Sequence, residues 1–241
     1  LACIDNRLRR IMLEMTIGIE HFSKVHLLSI LQQNNIDPYD VVEEYMNQLE
    51  KSNFEQLQHD LWKNSGSLYC GNLYAKYIDD QNKRCPVWAF LEMISFGQYL
   101  YFYKYCVELL QNTEITERLY LMYTVKSLRN ACAHNNCIIN DINSTHNKRI
   151  NADLQRECTK FIKSPSSRRR HLGHISTYQI LTTMYAHQRI CISTGVHNHI
   201  CGELDELKKR FFRDNDYRLN DNIKATFDVL IRAIDTWFHI R

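Results

Sequence analysis

Glycine and proline are scarce in this sequence, because the chain of 241 residues holds 7 glycines and 3 prolines. Average usage of roughly 7% and 5% would give about 29 of these residues together. Turn-rich all-β proteins and nucleotide-binding folds with glycine-rich loops depend on both residue types, so the shortage argues against these classes. No stretch reaches the ~18 consecutive apolar residues of a membrane-spanning helix. With 44% hydrophobic and 24% charged residues, the composition predicts a globular all-α protein without a membrane segment.

Cysteine and histidine give no sign of secretion or of a metal centre. The nine cysteines are odd in number, no CxxC pair occurs, and no signal-peptide pattern follows Leu1. His197 and Cys201 share one helical face, but no further ligands lie near them at metal-binding spacing. The motifs of P-loop NTPases, dinucleotide-binding proteins, zinc proteases and α/β-hydrolases are also missing. We expect a reduced, cytoplasmic protein that has no cofactor and no metal.

Charge is distributed unevenly along the chain. Residues 1–140 hold 13 basic and 16 acidic side chains, whereas residues 141–241 hold 17 basic and 11 acidic ones, which gives net charges of −3 and +6. The basic residues are concentrated over 143–172, which we call the basic segment. Such a run is most often a solvated face, and it indicates phosphate binding only together with a second observation. Because it combines like charge with few large apolar residues, we expect it to be the most mobile interior segment.

Helical periodicity runs through most of the chain. There is no internal repeat and no strand-like alternation, and the stretch 65–84 is the most loop-like part of the first half. The pattern predicts about eight helices with short connections, which form a bundle in a single domain over 1–241. Apolar spacing and capping signals mark nine candidate stretches for these eight or so helices, near 4–31, 38–50, 53–63, 86–110, 113–134, 152–163, 175–191, 200–213 and 221–239.

The predicted helix over 86–110 is apolar on more than one face. A helix of this kind is buried in the centre of a protein or shared with a partner chain. Its tyrosines could form a platform on which bases stack, but packing in a core or an interface is the better interpretation.

Arg129, Asn130 and His134 form an R-N-x-x-x-H motif at the end of the predicted helix 113–134. Composition alone gives about one RxxxxH match by chance, and a second match, Arg169 to His174, does occur. The spacing by itself therefore decides nothing. Of the two matches, only Arg129 is followed by asparagine and preceded by an apolar helical stripe that would hold it rigidly.

Helical geometry places Asn130 and His134 one turn apart on the same face and Arg129 on a different one. At 100° per residue, Asn130 and His134 lie about 140° and 180° from Val125, so they point away from the core. Arg129 lies about 140° round the helix from His134. It can reach His134 only through the length of its side chain, a local unwinding at 135–136, or a second chain.

Three stretches of the sequence resemble a known family. RNACAHNNCIIND, over 129–141, resembles the signature of the abortive-infection Abi-like proteins of the AbiD and AbiF type, which belong to the HEPN superfamily and its R-polar-x(3-5)-H ribonucleases. The P-x-W, Glu and SFG elements over 86–97 resemble a second conserved helix of that family at the usual separation, and IDNRLRRIMLEMTIGIEHFSK resembles its opening helix. The likeness is strong over 86–142, and after 172 it rests on helical character only.

The resemblance implies a HEPN-like helical bundle, often a homodimer, in which two motifs face each other in one composite site. It further implies an antiviral endoribonuclease, toxin-like, that cleaves RNA without a metal. His134 would then transfer protons, Arg129 would stabilise the phosphorane, and Asn130 would orient His134 or the phosphate. The basic segment would hold the RNA backbone near this site, through Lys148, Arg149, Lys160, Lys163, Arg168, Arg169 and Arg170.

Two other functions remain open from the sequence. One is a non-catalytic HEPN module that binds RNA or a partner protein, such as a small structured RNA or an antitoxin. The other is a purely structural dimerisation protein, with which no RNA would copurify.

Overall fold

The chain is all-helical in the part that we can describe. The computed structural model describes residues 1–79, 84–140, 142–147, 149–211, 213 and 220–241. These residues form twelve α-helices and one short 3-10 helix, and their only β-pairing is an isolated bridge between Thr145 and His174. None of these helices is both long enough and apolar enough to cross a membrane. The all-α prediction is confirmed, although the helices number twelve and not about eight.

The helices are numbered here in chain order, and the 3-10 helix (Cys158–Lys160) lies between α8 and α9. They are α1 (Ala2–Gln33), α2 (Asp40–Gln48), α3 (Lys51–Trp62), α4 (Gly71–Tyr77), α5 (Val87–Met93), α6 (Phe96–Leu110), α7 (Thr113–Ala133), α8 (Ala152–Glu157), α9 (Pro165–Gly173), α10 (Ile175–Ile190), α11 (Thr194–Arg210) and α12 (Asp221–Trp237).

Short helices account for the difference in number. The predicted helix 86–110 is in fact two helices, because Ile94 is extended (ψ 147°) and Ser95 caps α6, with its Oγ accepting a hydrogen bond from the backbone N–H of Gln98 at 3.3 Å. The stretch 65–84, expected to be mostly loop, contains α4. The basic segment contains α8, the 3-10 helix and α9, while its mobility stays a prediction.

Contacts between residues divide the chain into two compact units. One consists of Leu1–Phe22 and Tyr120–Arg241, and the other of Ser23–Leu119. The sequence of the first unit holds 22 basic and 14 acidic residues and that of the second 8 and 13, so their net charges are +8 and −5. The single-domain interpretation of 1–241 stays a prediction.

In the first unit, α10 is the most buried helix. Residues on all of its sides are shielded from solvent, including Thr177, Thr182 and His187 as well as its apolar side chains. It packs against α8, α9 and α12. The first unit thus has a central helix that carries polar groups into the core.

In the second unit, the core is aromatic. Phe90 and Phe102 meet edge-to-face with ring centroids 5.3 Å apart, and Tyr45 contacts Phe102 in the same way at 5.1 Å. Tyr99 and Tyr103 of α6 are fully buried. These two tyrosines of the 86–110 region are therefore core residues and not a stacking platform.

Candidate functional site

Helix α7 carries the R-N-x-x-x-H motif and holds it in a fixed rotation about the helix axis. Its apolar stripe is buried, with each side chain at most 5% exposed. The stripe consists of Leu121, Val125, Leu128 and Cys132. Because this stripe anchors one side of the helix in the core, the opposite side faces solvent, and both Asn130 and His134 are exposed. Their exposure agrees with the helical spacing of the sequence.

The end of α7 is a Schellman turn, a hydrogen-bonded cap with one left-handed residue. Asn135 adopts a left-handed conformation (φ 58°), its backbone N–H donates to the carbonyl oxygen of Cys132 at 3.1 Å, and the N–H of Asn136 donates to that of Ala131 at 2.9 Å. The N–H of His134 still donates to the carbonyl oxygen of Asn130 at 3.0 Å. The helix is thus intact through His134.

This turn removes one of the three ways in which Arg129 could reach His134. Unwinding at 135–136 was one of these alternatives; the helix ends only after His134, so the angle between Arg129 and His134 is unchanged. Two ways for Arg129 to reach His134 remain. One is the length of its side chain, and the other is a second copy of the chain.

Two residues of α1, Asp5 and Arg9, hold the turn and the residues after it by hydrogen bonds, and we call this pair the clamp. Arg9 donates from Nη1 to the carbonyl oxygens of Asn135 and Asn136, at 2.8 and 3.2 Å. Asp5, which is 3% exposed, accepts the backbone N–H groups of Ile138 and Ile139 on Oδ1, at 2.8 and 3.2 Å. Its Oδ2 lies 3.3 Å from Nη1 of Arg9.

Sequence reasoning missed this clamp. The i, i+4 pair Asp5 and Arg9 was visible as a local feature, but its partners are backbone groups more than 120 residues away. Because these partners are backbone groups, no pattern of side chains in the sequence indicates them.

Arg129 is half-buried, and its Nε is shielded from solvent without a hydrogen-bond partner among the described residues. Leaving a buried donor unsatisfied costs stability. A guanidinium with an unused N–H can donate to a phosphate oxygen, which accepts charge-assisted hydrogen bonds well. Because Nε itself is shielded, a phosphate meets only the part of this half-buried side chain that is exposed.

The predicted RNA-binding residues fall into three groups. Lys148 lies outside the described residues. Lys160 pairs with Glu157 at 2.6 Å, and Arg168 donates from Nη1 to the carbonyl oxygens of Ile162 and Lys163, at 2.6 and 2.8 Å. The remaining four are exposed and form no ion pair within the described part of the chain; they are Arg149, Lys163, Arg169 and Arg170.

These contacts give the basic residues different capacities. Arg168 fixes the chain just before α9, so it has a structural task of its own. The four exposed, unpaired cations are the ones best placed to bind phosphates. The motif lies on α7 and these cations on or beside α8 and α9. No three or more His, Cys, Asp or Glu side chains within the described ranges are grouped so that they could hold a metal ion.

Comparison with known proteins identifies the family. The family model described as Abi-like protein matches residues 1–140, which is more than half of the chain and includes α1 to α7 with the whole motif. The comparisons with curated proteins and with solved structures gave no match. The chain belongs to the Abi-like protein family.

Proposed function

We propose that this protein is an endoribonuclease of abortive infection, the defence in which an infected bacterium stops phage propagation. Membership in the Abi-like family supports the role in abortive infection. The observation that carries the chemistry is the end of α7, where Asn130 and His134 are exposed on a continuous helix and the Nε of Arg129 has no hydrogen-bond partner among the described residues.

The proposed reaction uses the 2′-hydroxyl of the RNA as its nucleophile. The imidazole of His134 takes the proton from the 2′-oxygen, which attacks the adjacent phosphorus, and a protonated imidazole gives a proton to the departing 5′-oxygen. The guanidinium of Arg129 stabilises the extra negative charge on the phosphorane. Asn130 orients the imidazole or the phosphate by hydrogen bonds. The P–O5′ bond breaks, leaving a 2′,3′-cyclic phosphate and a 5′-hydroxyl, and the nucleophile needs no metal ion.

The proposed active form is a homodimer. Arg129 lies about 140° round α7 from His134, and the helix is continuous between them. Two copies whose α7 ends meet would place Arg129 of one copy beside His134 of the other. Mixing Arg129→Ala with His134→Ala chains should then restore part of the activity that each variant lacks alone.

The exposed cations of the basic segment supply the affinity for the RNA backbone in this proposal. Changing Arg149, Lys163, Arg169 and Arg170 to glutamine should weaken RNA binding and lower its dependence on salt. Lys160→Gln is the matched control, because Lys160 is already paired with Glu157.

The direct test is cleavage of single-stranded RNA in EDTA. We expect cleavage that spares the DNA analogue, and His134→Ala should slow it by about 10²-fold or more. His199→Ala removes another exposed histidine, and it should cleave normally. Cleavage that EDTA abolishes, or that survives His134→Ala, would contradict the mechanism.

A non-catalytic RNA-binding module is the second candidate, and the four exposed cations favour it equally. In that case Arg129→Ala combined with His134→Ala would leave RNA binding and growth arrest on expression intact. In the nuclease, the same double variant should still bind RNA but should no longer arrest growth.

A further inference from the structure

The solvent-facing side of α7 carries more than the motif. Between residues 120 and 134, its exposed side chains are two tyrosines, a serine, an asparagine, an alanine and a histidine. At 100° per residue, five of them fall within an arc of about 80°. These five, which we call the tyrosine face, are Tyr120, Tyr123, Ser127, Asn130 and His134, and all of them belong to the first compact unit.

The tyrosines of this face lie outside the buried side of α7. The buried side of α7 already has its apolar residues, including Leu121, Met122 and Val125. Tyr120 nevertheless exposes 64% and Tyr123 39% of its surface. Exposed aromatic side chains on one face of a helix that also carries a candidate site are typical of a binding surface.

The spacing along the helix suits a strand of RNA that leads away from the motif. With a rise of 1.5 Å per residue, Tyr123 and Tyr120 lie about 16 and 21 Å along the axis from His134. Lys126 lies at the edge of the face, about 40° round the helix from Asn130, where it can contact a phosphate. At about 3.4 Å per stacked nucleotide, 16 Å corresponds to about five nucleotides.

We propose that the tyrosine face binds unpaired bases of the RNA, which stack on Tyr123 and Tyr120 while the scissile phosphate lies at the motif. This inference rests on the proposed function, and it names the substrate class as single-stranded RNA of more than about five nucleotides on one side of the cleavage site. Bases in a duplex are stacked on one another and cannot offer their faces to a side chain.

The composition of the face favours RNA over a second copy of the chain. Ser127, Asn130 and His134 continue the face from the tyrosines to the motif. A protein surface that covered these three residues would have to satisfy each buried polar group. Bases, riboses and phosphates offer such partners along the whole strand. In the proposed dimer only the His134 ends of the two helices meet, which leaves the part of the face around Tyr120 and Tyr123 open.

The test measures binding of fluorescently labelled single-stranded RNA in the full chain carrying His134→Ala, which separates binding from cleavage. Tyr120→Leu with Tyr123→Leu keeps apolar side chains but removes the aromatic rings. We expect it to lower affinity by about tenfold or more, because each stacked base contributes about fivefold to a hundredfold. Tyr120→Phe with Tyr123→Phe keeps the rings and should bind normally.

Two controls complete the design. Tyr101→Leu changes an exposed tyrosine of α6, outside the face, and should not alter binding. The difference in RNA affinity between the leucine and phenylalanine variants should disappear as the RNA is shortened, and it should also be absent with a duplex.

Three outcomes would overturn the inference, and they are distinguishable. If the leucine variant binds RNA normally and His134-dependent cleavage is present, stacking is wrong and the nuclease stands. If the leucine variant turns a dimer into a monomer in light scattering, the face is a contact between copies. If the unmodified chain neither binds nor cuts RNA, the proposed function fails and this inference fails with it.

Discussion

At the scale of single residues, the position of His134 depends on a carboxylate far away in the sequence. Asp5 is buried and accepts two backbone N–H groups of the chain that follows the motif. Asp5→Ala leaves both donors unsatisfied and removes the ion pair with Arg9, so we expect a loss of about 1–3 kcal/mol in unfolding free energy and slower cleavage. Urea unfolding and initial cleavage rates measure both effects.

Asp5→Asn is the matched variant, because an amide oxygen still accepts hydrogen bonds while the negative charge is lost. It should fall between the native chain and Asp5→Ala in stability. Equal stability of all three proteins would show that the clamp is unimportant.

A change at Arg129 should lower the cleavage rate without lowering the unfolding free energy, unlike a change at Asp5, which should lower both. The half-buried side chain of Arg129 leaves Nε without a hydrogen-bond partner in the described part of the molecule, and a shielded, unsatisfied donor costs stability. Arg129→Met keeps the length and removes the unsatisfied donor. We expect its unfolding free energy to equal or exceed that of the native chain, whereas its cleavage rate should fall by about 10²-fold or more.

A thermal melt and a cleavage assay on the same preparation test this separation. If Arg129→Met unfolds at a clearly lower temperature, Arg129 is a structural residue of the helix end, and the interpretation as a phosphate-binding group is wrong.

At the scale of helices, the break between α5 and α6 shows how a local signal can override periodicity. Apolar residues continue at helical spacing through 94–96, which predicted one helix over 86–110. Ser95 and Gln98, however, have the S-x-x-Q spacing of a helix start. In the structure Gln98 donates from its side chain to Asp60 at 3.2 Å, and its backbone N–H donates to Ser95.

The break gives a test of its own. Ser95→Ala removes the oxygen that caps α6, and we expect a loss of about 1 kcal/mol in unfolding free energy. Ser95→Asp, which keeps a capping oxygen, should be close to the native chain in thermal melting. If Ser95→Ala melts at the same temperature as the native chain, the cap does not stabilise the break.

The rotation of α7 was predictable from sequence, whereas the support of its end was not. The buried stripe through Val125 fixes which residues face solvent, because helical period alone relates the stripe to Asn130 and His134. The clamp by Asp5 and Arg9 depends on backbone groups brought together by the tertiary fold. The spacing of the tyrosine face can also be read from the sequence. The exposure of its tyrosines, however, had to be known before they could be distinguished from core residues.

At the scale of the whole molecule, buried histidines make stability depend on pH. Burial is the main cause that lowers the pKa values of His171 and His187 to about 4, and neighbouring cationic groups lower them further. In the unfolded chain both would titrate near 6.5. The unfolded state therefore binds more protons between pH 6.5 and 4, so stability is full above 6.5 and decreases as the pH falls through this window.

Each of these histidines should contribute a loss on the order of 3 kcal/mol by pH 4. Urea unfolding at several pH values measures the slope, and His187→Phe, which cannot titrate, should flatten it. His59→Phe changes an exposed histidine and should leave the slope as it is. An unchanged slope in His187→Phe would contradict the role of burial.

The most direct test of the nuclease mechanism replaces one 2′-hydroxyl group of the substrate with hydrogen. An RNA whose cleavage site has been mapped is synthesised with a single 2′-deoxynucleotide on the 5′ side of the scissile phosphate. The cleavage reaction is run in EDTA, and its products are analysed by mass spectrometry. Our account predicts that cleavage at this phosphate stops, while the all-ribose RNA gives 2′,3′-cyclic phosphate ends. Equal cleavage of the two substrates at that phosphate would contradict it.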